Sequence, residues 1–245
     1  MTEHSSREDL SAKGEQEYDE AIHQLERGEA TLAFEHFELA EQVFLELQDR
    51  HWLTFIRHER FRLFLQTEQY EPALALAEDI IEGYFETQNK KGLALIQIHK
   101  ADILLEQEKP VEALTSLRIA EAIVSSESID ELAGYLYSSL ALVLIHLEDY
   151  FHAIQELNAA LDIFPTEKAA ANIAWCQQML GQCHWKLFDL ASAERHFVAS
   201  HQGYLKLGDT QNAMEVIDQL KQLYTSSDQI DKLSELNRMR KQKRF

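Results

Sequence analysis

Residues 137–165 read YSSLALVLIHLEDYFHAIQELNAALDIFP. Apolar residues recur at helical spacing on both sides of a polar break at Glu148-Asp149: Tyr137, Leu140, Ala141 and Leu144 before it, Tyr150, Ala153, Leu157 and Ala160 after it. Stripes of this period belong to amphipathic helices, and Asp149 suits the N-cap of the second. Ala153 has counterparts 40 residues away in both directions, so alanines stand at 33, 73, 113, 153 and 193. Four residues after each come Phe37, Ala77, Leu117, Leu157 and Phe197, and seven after come Ala40, Ile80, Ala120, Ala160 and Ser200. Offsets of four and seven fall on one helical stripe, whose small side chains let helices approach closely.

A fixed period decides the architecture before any single helix is assigned. Upstream of each alanine stripe lies another helix-period segment, with breaks at Gly28-Glu29, Glu68-Gln69, Lys109-Pro110, Glu148-Asp149 and Phe188-Asp189. Pro110 fits a first helical position, Asp189 an N-cap, and Asn89, Ser128, Thr166 and Asp209 each precede a helical pattern. The pattern predicts an all-α protein with a disordered polar leader over 1–10. Five helical hairpins follow at about 11–48, 50–88, 89–127, 128–165 and 166–207. A capping helix pair over 209–242, with Leu233, Leu236 and Met239 as the apolar positions of its last helix, runs into a basic tail ending at 245. A single hairpin cannot bury both apolar faces, so neighbours must stack.

Composition removes several classes of function. The 245 residues include 42 acidic and 23 basic ones, a formal charge of −19. That opposes binding to phosphate backbones, so nucleic acid is not an expected partner. Eight Gly and three Pro are too few turn residues for an all-β fold. Two cysteines cannot form a disulfide framework, which suits a reducing compartment. The longest uncharged apolar run, 133–147, falls short of the roughly 20 residues of a membrane span, and residues 1–15 are too polar for a secretory signal. A cytoplasmic protein is expected. No two of the 11 histidines sit at the i, i+4 spacing of a helical zinc site. Cys176 and Cys183 read as small buried residues. With no phosphate loop and no nucleophile elbow, no enzyme activity, catalytic residue, metal or cofactor is expected.

The fourth hairpin closely resembles the tetratricopeptide repeat (TPR): Tyr137, Leu140, Ala141, Leu144, Tyr150, Ala153, Leu157, Ala160 and Pro165 follow the family pattern. Leu180-Gly181, His184, Ala193 and Phe197 carry it in the fifth hairpin, and Ala101, Leu104, Ala113, Leu117 and Ala120 in the third. The resemblance covers about four-fifths of the chain. Its period of 40 residues, against the usual 34, implies helices longer by close to a turn each. The resemblance implies a right-handed α-α superhelix whose first helices line a concave groove for a protein or peptide. Carried over residue by residue, the groove positions are Phe55, His58, Arg62, Ile98, Asp102, Tyr135, Leu142, Trp175, Gln178, Gln182 and Trp185. The family's carboxylate clamp would fall on His58, Arg62, His99, Tyr135 and Ser139. Only the arginine resembles it, which argues against chaperone tails as ligands.

Two basic islands interrupt the acidic chain. Residues 50–62, RHWLTFIRHERFR, carry four arginines and one glutamate, and the last ten residues carry Arg238, Arg240, Lys241, Lys243 and Arg244 with no acid. The tail reads as a helix terminus whose cations complement the macrodipole, or as a docking segment for an acidic partner or a second copy. The expected function is a non-enzymatic scaffold or adaptor. Two alternatives stand beside it: a peptide-sensing regulator resembling bacterial TPR peptide receptors, and a self-assembling structural protein, hence a homo-oligomer.

Overall fold

The computed structural model describes residues 2–164, 169–234 and 236. Eleven α-helices are bounded among them: α1 (Thr2–Glu26), α2 (Ala30–Leu47), α3 (Arg50–Gln66), α4 (Tyr70–Glu86), α5 (Lys90–Glu106), α6 (Pro110–Glu127), α7 (Asp130–His146), α8 (Tyr150–Ile163), α9 (Ala170–Lys186), α10 (Leu190–Lys206) and α11 (Thr210–Ser226). Residues 230–234 are helical beyond them, and no strand occurs among the described residues. The protein is all-α, built of helices in consecutive packed pairs. It divides into two compact units, Met1–Glu127 and Ser128–Phe245. In the first, α1 packs on α2, α3 on α4 and α5 on α6; in the second, α7 packs on α8 and α9 on α10, with α11 against α10.

The turns explain the period. Gly28, Gln48, Glu68, Gln88, Glu108, Ser128, Glu148, Phe188, Gly208 and Asp228 all have φ between 54° and 78°. They recur every 20 residues wherever the turn is described. At nearly every one the αL residue donates its N–H three residues back, and the next residue donates five back. Glu148 N bonds Ile145 O and Asp149 N bonds Leu144 O, and Phe188 and Asp189 repeat this with Trp185 and His184. This is the Schellman helix ending. The second residue of the pair then opens the next helix: the Asp49, Asn89, Asp149, Asp189 and Asp209 side chains accept from the backbone N–H three residues on, at 2.8–3.3 Å. One residue ends a helix and the next starts another, so the chain reverses within three residues.

The alanine stripe is the centre of each hairpin. Ala33, Phe37, Ala40, Ala73, Ala77, Ile80, Ala113, Leu117, Ala120, Ala153, Leu157, Ala160, Ala193, Phe197 and Ser200 are all fully buried. Gly181 of α9 faces Phe197 of α10 so closely that an added Cβ would lie 2.6 Å from the ring. The family's helix-one glycine is thus a close-approach position.

Three sequence expectations need correcting. Residues 2–10 do not form a disordered leader: they are the first turns of α1, where Arg7 Nη2 donates to Leu47 O at 2.8 Å. Ser128 is not a helix start, because its φ of 54° makes it the αL residue closing α6, and α7 begins after Ile129. The basic island at 50–62 is largely neutralised internally, since three of its four arginines point to acids on α2 and α4. Pro165, Thr166, Met239 and the basic tail residues Arg238, Arg240, Lys241, Lys243 and Arg244 lie outside the described residues.

Candidate functional site

The expected groove residues all stand on the first helix of a hairpin. Phe55, His58 and Arg62 are on α3 and Ile98 and Asp102 on α5, in the first unit. Tyr135 and Leu142 are on α7 and Trp175, Gln178, Gln182 and Trp185 on α9, in the second.

In the first unit, His58 and Ile98 are not groove residues, being 7% and 3% exposed. The repeat explains this. His58 of α3 shares a hydrogen bond through Nδ1 with the Tyr84 hydroxyl of α4. Three hairpins later its counterpart, Gln178 of α9, 4% exposed, accepts from Tyr204 of α10 at 3.3 Å. In both cases the pair lies 26 residues apart in sequence. This position of the first helix therefore packs on the far end of its own second helix, with polar pairs at 58/84 and 178/204. Burial, then the nearby His99 and Arg62, push His58 down to about 4, so the imidazole is neutral at neutral pH and its Nε2 is buried without a protein partner.

The neighbouring registers remain at the surface. Phe55 is 39% exposed, its ring centroid 5.2 Å from Tyr18 of α1 and 5.9 Å from Trp52. Trp52 in turn stacks on Phe44 at 4.9 Å. Phe55 is thus the wet end of an aromatic series rooted in the core. Four and seven residues along the same stripe come Glu59 and Arg62, whose guanidinium Nη1 donates to both Glu59 oxygens at 3.0 and 3.2 Å. Burial and the Glu59 charge push the Tyr18 hydroxyl up to about 12. On α5, Asp102 Oδ2 lies 3.8 Å from His99 Nδ1. Tyr18 and Glu59 were missed by the sequence reading. Glu59 was legible as the i+4 partner of Phe55, whereas Tyr18 stood on the expected first hairpin and only its packing on Phe55 brings it to the site.

The remaining arginines of α3 face away from this stripe. Arg57 Nε donates to Glu41 Oε1 at 2.6 Å and Arg60 Nη1 to Glu41 Oε2; Arg57 also meets Asp79 at 3.1 Å and Arg60 meets Glu38 at 3.3 Å. Glu41, Arg57 and Arg60 side chains are only 11%, 15% and 15% exposed. These cations hold α2, α3 and α4 together.

In the second unit, Tyr135 is 52% exposed and meets Phe164 edge-on at 5.6 Å. Leu142 and Gln182 are half-buried. Trp175 packs against the cluster of Cys176, Met179 and Leu180, and Trp185 against that of Phe197, Leu220 and Leu223. Gln178 is buried rather than facing a ligand, and its Nε2 donates to Glu215 Oε1 at 3.0 Å and Gln219 Oε1 at 3.3 Å on α11. Beside this row, Trp185, Asp218, Lys221, Gln222, Thr225 and Ser226 line an open cleft of about 640 Å3. Cys176 and Cys183 are buried thiols pushed up to about 11 and about 12 by desolvation, which leaves little thiolate for chemistry. Among the described residues no group of three or more His, Cys, Asp or Glu is placed to hold a metal ion. No described helix is long and apolar enough to cross a membrane.

No family model matches this sequence, and no curated protein matches it either. Solved structures do resemble it. The apo form of RapI superposes with a TM-score of 0.76 at 15% identity, covering 92% of this chain and 95% of that one. A signal transduction ATPase with numerous domains from Pyrococcus horikoshii, which carries a tetratricopeptide repeat sensor, gives 0.74 at 16% identity and 91% of this chain. The chain spans 34% of that protein's length. A Rap protein complexed with competence and sporulation factor gives 0.61 at 16%, covering 94% and 74%. At such identities the likeness is one of fold: this is a TPR-like repeat protein.

Proposed function

We propose that this TPR-like protein is a non-catalytic interaction module that binds a peptide segment of a partner on the exposed registers of its first helices. The observation that carries the reading is the pair Phe55 and Tyr135. They are large aromatics at the same position of the repeat, two periods apart, 39% and 52% exposed although each packs on another ring, half-buried Tyr18 behind Phe55 and buried Phe164 behind Tyr135. Rigid aromatics with one face wet and one face anchored are the side chains that concentrate binding energy. Arg62 and Glu59 beside Phe55 add paired charges able to select a polar or charged flank.

The test is a peptide-display selection on the purified chain, followed by affinity measurement of the selected peptides on Phe55→Ala, Arg62→Ala and Tyr135→Ala. Loss of about tenfold or more for at least one variant, with helicity unchanged, supports the reading. Selected peptides that bind all three like wild type overturn it. A second reading, a peptide-sensing regulator, is favoured by the likeness to a Rap protein in complex with competence and sporulation factor. It requires that a bound peptide change the small-angle scattering profile, and an unchanged profile at saturation removes it.

A further inference from the structure

Residues 237–245, NRMRKQKRF, hold five basic residues and no acid and follow the last described residue. Their point of departure is defined. The turn at Asp228 reverses the chain, with Gln229 N bonded to Tyr224 O at 2.9 Å. Leu233 and Leu236 then join Leu220, Leu223 and Tyr224 of α11 in one hydrophobic cluster. Counting equal steps either side of the turn brings position 236 level with position 220. Trp185 of α9 packs against that same cluster. Nine extended residues span about 30 Å, enough to reach any point of the α9–α11 seam.

The seam has the chemistry such a segment requires. Trp185 and Asp218 line the cleft of about 640 Å3, and Glu215 and Asp218 are exposed on α11. Glu215 and Gln219 continue from it to Gln178, while Lys221 pairs with Asp218. An indole face takes a guanidinium, a carboxylate takes it bidentately, and side-chain amides serve an extended backbone. Charge agrees: residues 128–236 contain fifteen acidic and six basic residues.

We propose that the α9–α11 seam is a binding site for an arginine- and lysine-rich segment, and that its resident occupant is residues 237–245 of the same chain. The Trp185 face and the Asp218 carboxylate, which Lys221 holds in this structure, are the groups that would take a guanidinium of such a segment. Tethered this closely, the segment acts at an effective concentration on the order of millimolar, so an external ligand must outcompete it. This rests on the reading of first-helix registers as partner-facing, but its probe is the chain's own segment, so the two readings fail separately.

The experiment measures fluorescence anisotropy of a labelled peptide of sequence NRMRKQKRF. Its two receptors are the full chain and a full-length variant carrying Arg238→Gln, Arg240→Gln, Lys241→Gln, Lys243→Gln and Arg244→Gln. The expected result is binding at least about tenfold tighter to the neutralised variant, because its seam is vacated, with affinity falling as salt rises. Adding Glu215→Gln and Asp218→Asn, both exposed and compatible with folding, weakens the peptide by about tenfold. Equal affinity for the two receptors, or no loss with the seam substitutions, overturns the proposal. Light scattering that shows a wild-type dimer becoming a monomer on neutralisation also overturns it, by seating the segment on a second copy.

Discussion

Replacing Glu41 by glutamine tests whether the arginines of α3 are structural. Glu41 Oε1 receives Arg57 Nε at 2.6 Å and Oε2 receives Arg60 Nη1, and all three side chains are at most 15% exposed. The amide keeps one acceptor but turns its NH2 toward a guanidinium, so one charge-assisted bond becomes a donor–donor contact. A hydrogen bond to a charged group contributes about 1.5–3 kcal/mol. Stranding a buried charge outright costs about 3–5 kcal/mol. Asp79 at 3.1 Å and Glu38 at 3.3 Å still hold the two arginines, so the expected loss is about 2–3 kcal/mol. The control is Arg118→Ala, whose partner Glu121 is 31% exposed and three residues away on the same helix; such pairs contribute about 0.5 kcal/mol or less. Urea unfolding followed by circular dichroism compares the two. A Glu41→Gln variant within experimental error of Arg118→Ala would refute the structural assignment of Arg57 and Arg60.

Gly181→Ala is expected to destabilise by about 1–2 kcal/mol. Overpacking against Phe197, 2.6 Å from the new Cβ, outweighs the roughly 1 kcal/mol gain in helix propensity, and Phe197→Leu on the same chain should restore part of the loss; a stabilised single variant contradicts the close approach. Phe188→Gly is expected to stabilise by about 1 kcal/mol, since Phe188 holds an αL φ of 62° at 88% exposure; a drop in melting temperature would count against it. Acid should weaken the first unit through His58, whose folded value of about 4 lies below the ordinary 6.5. Above 6.5 the imidazole is neutral in both states and costs nothing. As pH falls from 6.5 toward 4 only the unfolded state takes the proton, so stability is lost across that window, by up to about 3 kcal/mol. His58→Gln, which keeps a hydrogen-bonding group near Tyr84, should flatten that part of the pH profile, and an unchanged slope would assign the effect elsewhere, with His196, also lowered to about 4, the first candidate.

How far the sequence reaches is clearest at the turns and at the groove. Asn89, Asp149, Asp189 and Asp209 were legible as N-caps because capping is local: a carboxylate or amide meets a backbone N–H three residues on. Ser128 misled for the same reason, since αL closure and N-capping draw on overlapping residue types and sit one position apart. Most of the αL set was hidden, because Gln48, Glu68, Phe188 and five others lack the glycine that marks it at Gly28 and Gly208. Among groove residues, Phe55, Arg62 and Tyr135 stayed at the surface, whereas His58, Ile98 and Gln178 went inside. A helical wheel gives direction only, and the difference between the 55 and 58 positions is the presence of Tyr84 or Tyr204 across the hairpin.

The 40-residue alanine ladder was sufficient for the class of fold, because helix periodicity and close approach of small side chains are properties of neighbours in the chain. Which charges are spent inside was settled only when α2, α3 and α4 came together around Glu41. Electrostatic pairing and burial depend on what arrives from sixteen, twenty-six or forty residues away, and no local pattern carries that distance.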